Sequence, residues 1–274
     1  DNVFADLDVF GVRVITSGQG GNDVAVTVSE MAADGQVLKE HVLTGELARI
    51  REPLFVYATH EFDDAVTVIN TGTGSIVANI SLPTGSRPRG IAITPDGTRA
   101  YVANLGTDTV TVIDTAANTI LTTIDFPPDS GPIAIAITPD GSRAYAVNSD
   151  AESVSVINTS MNSVIADIPL PDGPLFGGLA VTPDGSRVYV TDASEPYSVV
   201  VINALTNTIL TTIPLIHGVF PTSVAIAPDG SRAYVSTLGS SSVEVIDIHS
   251  NTVIASLPLA GGSFWLAVTP ILLF

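Results

Sequence analysis

Short apolar and β-branched runs alternate along this chain with turns built from Gly, Pro, Asn and Asp, and one stretch shows the pattern in full. Gly90 to Thr94 is a short apolar run with small residues, followed by Pro95-Asp96-Gly97. Arg99 to Asn104 is a second run. Asp108 to Asp114 alternates Val110 and Val112 against Thr111 and Ile113, the period of two that marks a strand. Asn118 to Phe126 supplies a fourth. Proline at the first central position of a turn presets φ, and glycine two residues on accepts positive φ, so Pro-Asp-Gly predicts a hairpin connector. The β-branched content suits sheets packed on both faces. No stretch carries a helical period; Ser29 to Glu46 comes nearest, but Asp34-Gly35 breaks it and it reads as a hairpin.

The whole four-run pattern recurs. The block Thr-Pro-Asp-Gly-(Thr/Ser)-Arg-x-Tyr places prolines at Pro95, Pro139, Pro183 and Pro228, at steps of 44, 44 and 45 residues, with Ala227 replacing Thr in the last copy. A period in the forties made of four strands predicts β-propeller blades. Further units run from Ile133 to Leu170, Gly177 to Leu215 and Ser223 to Leu259. Upstream, Leu54 to Leu82 gives three matching runs, with a first strand placed within Glu46 to Arg51. Val9 to Ser17, Asp23 to Ser29 and Gln36 to Leu43 read as second, third and fourth strands lacking a first. At the other end Phe264 to Pro270 matches Arg89 to Pro95, with no second strand after it. The expectation is ring closure: an all-β, six-bladed propeller of four-stranded antiparallel blades, its C-terminal strand completing the N-terminal blade. That gives one domain, 1–274, with blades at about 263–274 plus 1–44, 45–83, 88–127, 131–171, 175–215 and 221–259. Closure hydrogen-bonds edges that otherwise template aggregation.

Tyr101-Val-Ala-Asn, Tyr145-Ala-Val-Asn, Tyr189-Val-Thr-Asp and Tyr234-Val-Ser-Thr each follow Pro-Asp-Gly and precede a Val-rich run. With that context they resemble the YVTN β-propeller repeats of surface-layer and secreted proteins, over about residues 54 to 270. The resemblance implies an extracytoplasmic module, secreted, periplasmic or at the cell surface, that presents a loop face to a protein or glycan partner.

Composition narrows the partners. Acidic residues outnumber basic ones 28 to 10, for a net charge of −18, and Lys39 is the single lysine. Four of the arginines (Arg99, Arg143, Arg187, Arg232) belong to the repeated turn. Nucleic-acid binders need clustered cations to release counterions, and anionic membrane surfaces repel such a chain. No apolar run is long enough for a membrane-spanning helix, and none suggests direct insertion. With no cysteine, neither disulfides nor thiolate metal sites exist.

Strand direction sorts the loops onto two ends. The Pro-Asp-Gly turns lie at one; the links between blades and between second and third strands lie at the other, where the unusual side chains gather. His60, Glu61 and His217 are the candidates for acid–base chemistry, because only histidine titrates naturally near neutrality. Asp63, Asp64, Asp150 and Glu152 offer hard oxygen ligands of the kind Ca²⁺ or Mg²⁺ takes, although no loop has a calcium-motif spacing and solvated acidic loops explain them better. Arg87 and Arg89 are cations placed to orient an anion or to pair with Asp63 or Asp129. Phe176, Tyr197, Phe220, Phe264 and Trp265 are candidates for a ligand-binding aromatic platform, or for packing at the closing blade. No nucleophile elbow or His-Glu-x-x-His pair exists. The expected function is a binding or structural module that uses no cofactor. The alternative is a small-molecule lyase or lactone hydrolase with a divalent metal at a central channel.

Overall fold

The computed structural model describes the backbone of residues 2–9, 12–18, 24–31 and 37–44, and both backbone and side chains of 55–171, 177–216, 220–261, 266 and 268. Regular structure among these residues is entirely β. The chain divides into two compact units, residues 1–54 with 71–73, and residues 55–70 with 74–274.

The first unit holds one antiparallel sheet in chain order: β1 (Asn2–Val9), β2 (Val12–Gly18), β3 (Val24–Met31) and β4 (Val37–Thr44). Here the sequence expectation fails. The N-terminal sheet needs no strand from elsewhere, because Asn2–Val9 is its own first strand and pairs with β2. Asp6 and Asp8 alternate with Leu7 and Val9 as a strand should, yet nothing in this segment resembles Gly-Ile-Ala-Ile-Thr-Pro, and the repeat template passes over it. Leu266 and Val268, the described residues of the run expected to close the ring, belong to no strand. A six-bladed ring sealed by the C-terminal strand is therefore not what the described residues build.

Among the described residues the second unit holds five sheets. β5 (Phe55–His60), β6 (Ala65–Asn70) and β7 (Ser75–Ser81) form a three-stranded sheet; the first strand expected within Glu46 to Arg51 lies outside the described residues. The next sheet is β8 (Pro88–Ile93), β9 (Arg99–Asn104), β10 (Thr109–Asp114) and β11 (Thr119–Asp125). It is followed by β12 (Pro132–Ile137), β13 (Arg143–Asn148), β14 (Ser153–Asn158) and β15 (Ser163–Pro169). Then come β16 (Leu179–Val181), β17 (Arg187–Asp192), β18 (Ser198–Asn203) and β19 (Thr208–Pro214). The last is β20 (Pro221–Ile226), β21 (Arg232–Thr237), β22 (Ser242–Asp247) and β23 (Thr252–Pro258).

The core lies between successive sheets. Tyr57, Val66 and Val68 pack against Ala100, Val102 and Ile113 of the next sheet. Tyr101, Val110 and Val112 pack in turn on Ile135, Ala144 and Ile157. The same interleaving recurs twice more along the chain. Both faces of an inner sheet are thus buried, so each alternate residue of β10 is covered, Thr111 as fully as Val110 and Val112. Thr111 escapes the cost of a buried hydroxyl by accepting from Asn104 Nδ2 at 2.8 Å. Where first strands of neighbouring sheets meet, small residues are obligatory. A Cβ on Gly90 would sit 2.7 Å from Ala134 Cα, and one on Gly178 2.8 Å from Ser223 Cα.

The repeated Arg-x-Tyr is a staple between sheets. Tyr101 Oη donates to Asn162 Oδ1 (2.7 Å) and Thr159 O, and Tyr189 Oη to Asn251 Oδ1 (2.7 Å), each in the β-turn of the following sheet. Arg99 and Arg187 donate to Thr159 O (2.8 Å) and Ile248 O (2.7 Å), and Arg143 to Ala204 O. The recipients Asn118, Asn162, Asn207 and Asn251 all have positive φ, a conformation asparagine tolerates better than most residues.

Candidate functional site

Residues that obey the repeat hold the sheets together, so chemistry is sought where the repeat is broken. Three residues at positions the repeat leaves variable meet at one point on the loop end. Glu61 follows β5, and Arg87 and Arg89 flank the start of β8; the next copy has Leu105, Gly131 and Ile133 at the corresponding positions, and later copies change them again, to Ser149, Phe220 and Thr222 among others. Glu61 Oε1 accepts from Arg87 Nη2 at 2.8 Å and from Arg89 Nη2 at 3.1 Å. The pairing with Asp63 or Asp129 that the sequence suggested is replaced by this shared carboxylate. The Arg89 hydrogen bond is the main cause that holds the Glu61 carboxyl below its ordinary range, with Arg87 adding to it. Glu61 is therefore a carboxylate at neutral pH. The Glu61 carboxylate and that of Asp64, which meets the Arg87 backbone, together balance the charge of the two guanidiniums. Arg87 and Arg89 stay 48% and 32% exposed, so part of each fork faces solvent. Arg89 Nε is buried without a partner.

The local backbone is arranged to present these groups. Arg87 has φ +48°, where a non-glycine residue is uncommon. It is held there by Asp64, whose two carboxylate oxygens accept from Arg87 N (2.8 Å) and Gly85 N (2.7 Å). Those backbone bonds, Arg87 first, keep the Asp64 carboxyl below its usual range. Asp108 does the same in the next sheet, accepting from Asp129 N and Gly131 N. Asp64 is thus a loop anchor rather than a free ligand. Gly106 makes room beside it: a Cβ there would collide with Gly85 O and touch the Arg87 stem. Thr59 Oγ1 donates to Arg89 O at 2.7 Å and fixes the second arginine's backbone.

The other sequence candidates are scattered. His60 occupies the position of Asn104 and Asn148, and its Nε2 lies 2.8 Å from Thr67 Oγ1 just as Asn104 Nδ2 reaches Thr111. Its placement is that of a sheet-bridging residue. Asp150 and Glu152 lie in the β13–β14 turn of a different sheet from Asp63 and Asp64. Among the described residues no group of three or more His, Asp or Glu side chains gathers to hold a metal. With both Asp64 oxygens taken by backbone amides and Glu61 bracketed by guanidiniums, a divalent ion does not fit this donor set. Tyr197 and Phe220 do meet: their ring centroids are 5.2 Å apart, inclined at 54°. Phe176, His217, Phe264 and Trp265 lie outside the described residues.

At the opposite end, grooves of about 580 and 510 Å³ run beside the Pro-Asp-Gly turns, the first lined by Asp184, Arg187, Asp229, Asp247 and His249. Both grooves are made largely of residues that recur with the repeat, which assigns them to the scaffold. Sequence reasoning named Glu61 and both arginines but not their union. The sequence marked this loop end as variable from copy to copy, but no pattern in it joined the three residues into one cluster.

Interleaved four-stranded sheets, stapled by Arg-x-Tyr and carrying a Glu61–Arg87–Arg89 cluster at one loop end, define a propeller-type protein. The model of the family described as lactonase, 7-bladed β-propeller, matches residues 81–256, more than half of the chain, and the chain belongs to that family. Among solved structures, a catalytically inactive virginiamycin B lyase variant from Staphylococcus aureus, solved with quinupristin, is similar at 16% identity and TM-score 0.65, covering 93% of this chain and 88% of that one. A Bacteroides fragilis protein proposed as a 6-phosphogluconolactonase gives 19% identity and TM-score 0.61 over 92% and 82% of the two chains. A Lactobacillus plantarum protein gives 15% and 0.65 over 94% and 85%. At these identities the likeness concerns the fold. No curated protein matches the sequence significantly.

These findings correct two expectations. The family is the lactonase propellers, not the YVTN surface-layer repeats, and an enzyme family replaces the purely structural binding module. The physical reason is that the residues carrying the YVTN resemblance are structural: the Tyr hydroxyls staple neighbouring sheets, Asn104 and Asn148 bridge strands within a sheet, and Pro-Asp-Gly forms turns. They report how blades are joined and say nothing of what the loops do.

Proposed function

We propose that the chain hydrolyses a small lactone, with Arg87 and Arg89, held by Glu61, as the electrophilic part of the site. The observation supporting this is the coincidence of membership in a lactonase family with a solvent-facing guanidinium pair gathered on one carboxylate at the variable loop end. Water adds to the lactone carbonyl, the ring C–O bond breaks, and the products are a carboxylate, a hydroxyl and one proton released to solvent. Negative charge grows on the carbonyl oxygen during addition and remains on the product carboxylate. Fixed cationic donors aimed at that oxygen stabilise the transition state more than the neutral substrate. Glu61 acts as a positioning residue: ionised and shared, it keeps the two forks side by side.

The test is a pH-stat assay of D-glucono-δ-lactone opening, corrected for the spontaneous rate. Removing one such donor costs about 10²-fold in other esterolytic sites, and Arg89→Ala is expected to lower kcat/KM by that order with the melting temperature little changed. Glu61→Gln should raise KM and lower kcat less. A wild-type protein with no acceleration for this or other δ- and γ-lactones, or arginine variants as active as wild type, overturns the reading.

A further inference from the structure

The geometry points to a second subsite, a carbohydrate-ring site built on Tyr197 and Phe220, which we propose binds the face of a neutral sugar. Its argument begins with backbone strain. Arg87, Gly131 and Phe220 stand at equivalent places, each directly before the proline that opens a first strand (Pro88, Pro132, Pro221). All three have positive φ, at +48°, +60° and +54°. In each case the carbonyl is tied down by the amide that follows the second strand of the sheet: Leu105, Ser149 and Leu238 respectively. The fold thus imposes a left-handed residue there. Glycine is the undemanding choice, taken at Gly131. A phenylalanine in that conformation is strained, and such strain persists where the side chain serves a purpose.

The ring is not spent on the core. Phe220 remains 44% exposed, and its aromatic contact is Tyr197, in the β17–β18 loop of the preceding sheet. Tyr197 is fixed in turn: its carbonyl accepts from Leu215 N at 3.0 Å, and its hydroxyl donates to Glu195 Oε1 at 3.2 Å. Two aromatic faces, held by each other and half open to water, lie beside a carboxylate exposed at the rim. Aromatic faces carry negative potential and attract the weakly positive C–H face of a pyranose, while Glu195 accepts its hydroxyls. An anionic ligand is disfavoured by the same carboxylate, which separates this subsite chemically from the arginine pair. It does not depend on lactone hydrolysis.

Saturation-transfer NMR with methyl β-D-glucopyranoside and cellobiose tests it. The wild-type protein should transfer saturation to ring C–H protons, and Phe220→Gly should weaken binding at least tenfold while melting at the same temperature or higher, because glycine relieves the strain. Tyr197→Phe should keep the stacking and lose a few-fold through the Glu195 contact. Arg89→Ala should bind the sugars as wild type does. The proposal is overturned by no transfer to either sugar, by equal transfer in Phe220→Gly, or by a clearly lower melting temperature in Phe220→Gly, which would make the ring a packing element.

Discussion

Single positions in this chain show their meaning by comparison with their copies elsewhere in the sequence. Glycine at the third place of Pro-Asp-Gly is one whose role is legible from sequence, and Gly97, Gly141, Gly185 and Gly230 indeed have φ between +69° and +72°. Gly141→Val puts a β-branched residue in that conformation, with its Cβ 3.4 Å from Pro95 of the preceding sheet. The substitution should destabilise by roughly 1 kcal/mol or more. Urea unfolding checks this, and an unchanged midpoint would contradict the turn geometry. Positive φ at Arg87 and Phe220 was not legible, because neither residue type announces it. Their copy Gly131 carried the clue, and only alignment of the three pre-proline positions brings it out.

At the scale of the element, strand limits were read closely: Arg99–Asn104 is as expected, and β10 and β11 begin one residue later than the alternation suggested. The Arg-x-Tyr staple was not, since sequence alone does not say which turn a tyrosine hydroxyl reaches across 61 residues. β1 was missed because a template trained on the repeat cannot recognise a strand that lacks it. The turns themselves predict a pH response. Thr94, Thr138 and Thr182 hydroxyls bind Asp96, Asp140 and Asp184, and these contacts lead in holding the three carboxyls below their ordinary range. In the last copy, where alanine replaces threonine, the Ser231 amide leads for Asp229. A carboxyl with a lower pKa folded than unfolded binds fewer protons in the folded state. Its stabilisation is fully present above the unfolded value of about 3.9 and is lost as pH falls through the folded value. The urea midpoint in ~0.5 M NaCl should therefore be level from pH 6 to about 4.5 and fall below about 4. A midpoint that climbs as pH drops from 4 to 2.5 in that salt would show that these turns contribute nothing.

For the whole molecule, composition and repeat gave the all-β architecture, while the family came from the comparison. The reason lies in how the sequence is divided. Repeated positions, which dominate any pattern search, fill the layers between sheets and the turns that join them; Glu61, Arg87 and Arg89 stand at positions that change from copy to copy and so leave no pattern to find. The net charge of −18 is likewise global and supports a prediction of its own. With 28 acidic groups against 10 basic ones, most carboxylates have no cation to pair with and repel one another across the surface. At ~0.01 M ionic strength the screening length is about 30 Å, so these repulsions reach across a sheet; near 0.15 M it is about 8 Å. Unfolding spreads the charges and relieves them, so low salt favours the unfolded chain. The melting temperature at pH 7 should rise between ~10 mM and ~0.5 M NaCl, most steeply in the first ~0.15 M where screening changes fastest. Sodium chloride is the right salt because sulfate strengthens apolar burial by exclusion and would mask the effect. A melting temperature that stays flat or falls over the first ~0.15 M would mean that attractive pairs, not surplus negative charge, govern the surface of this protein.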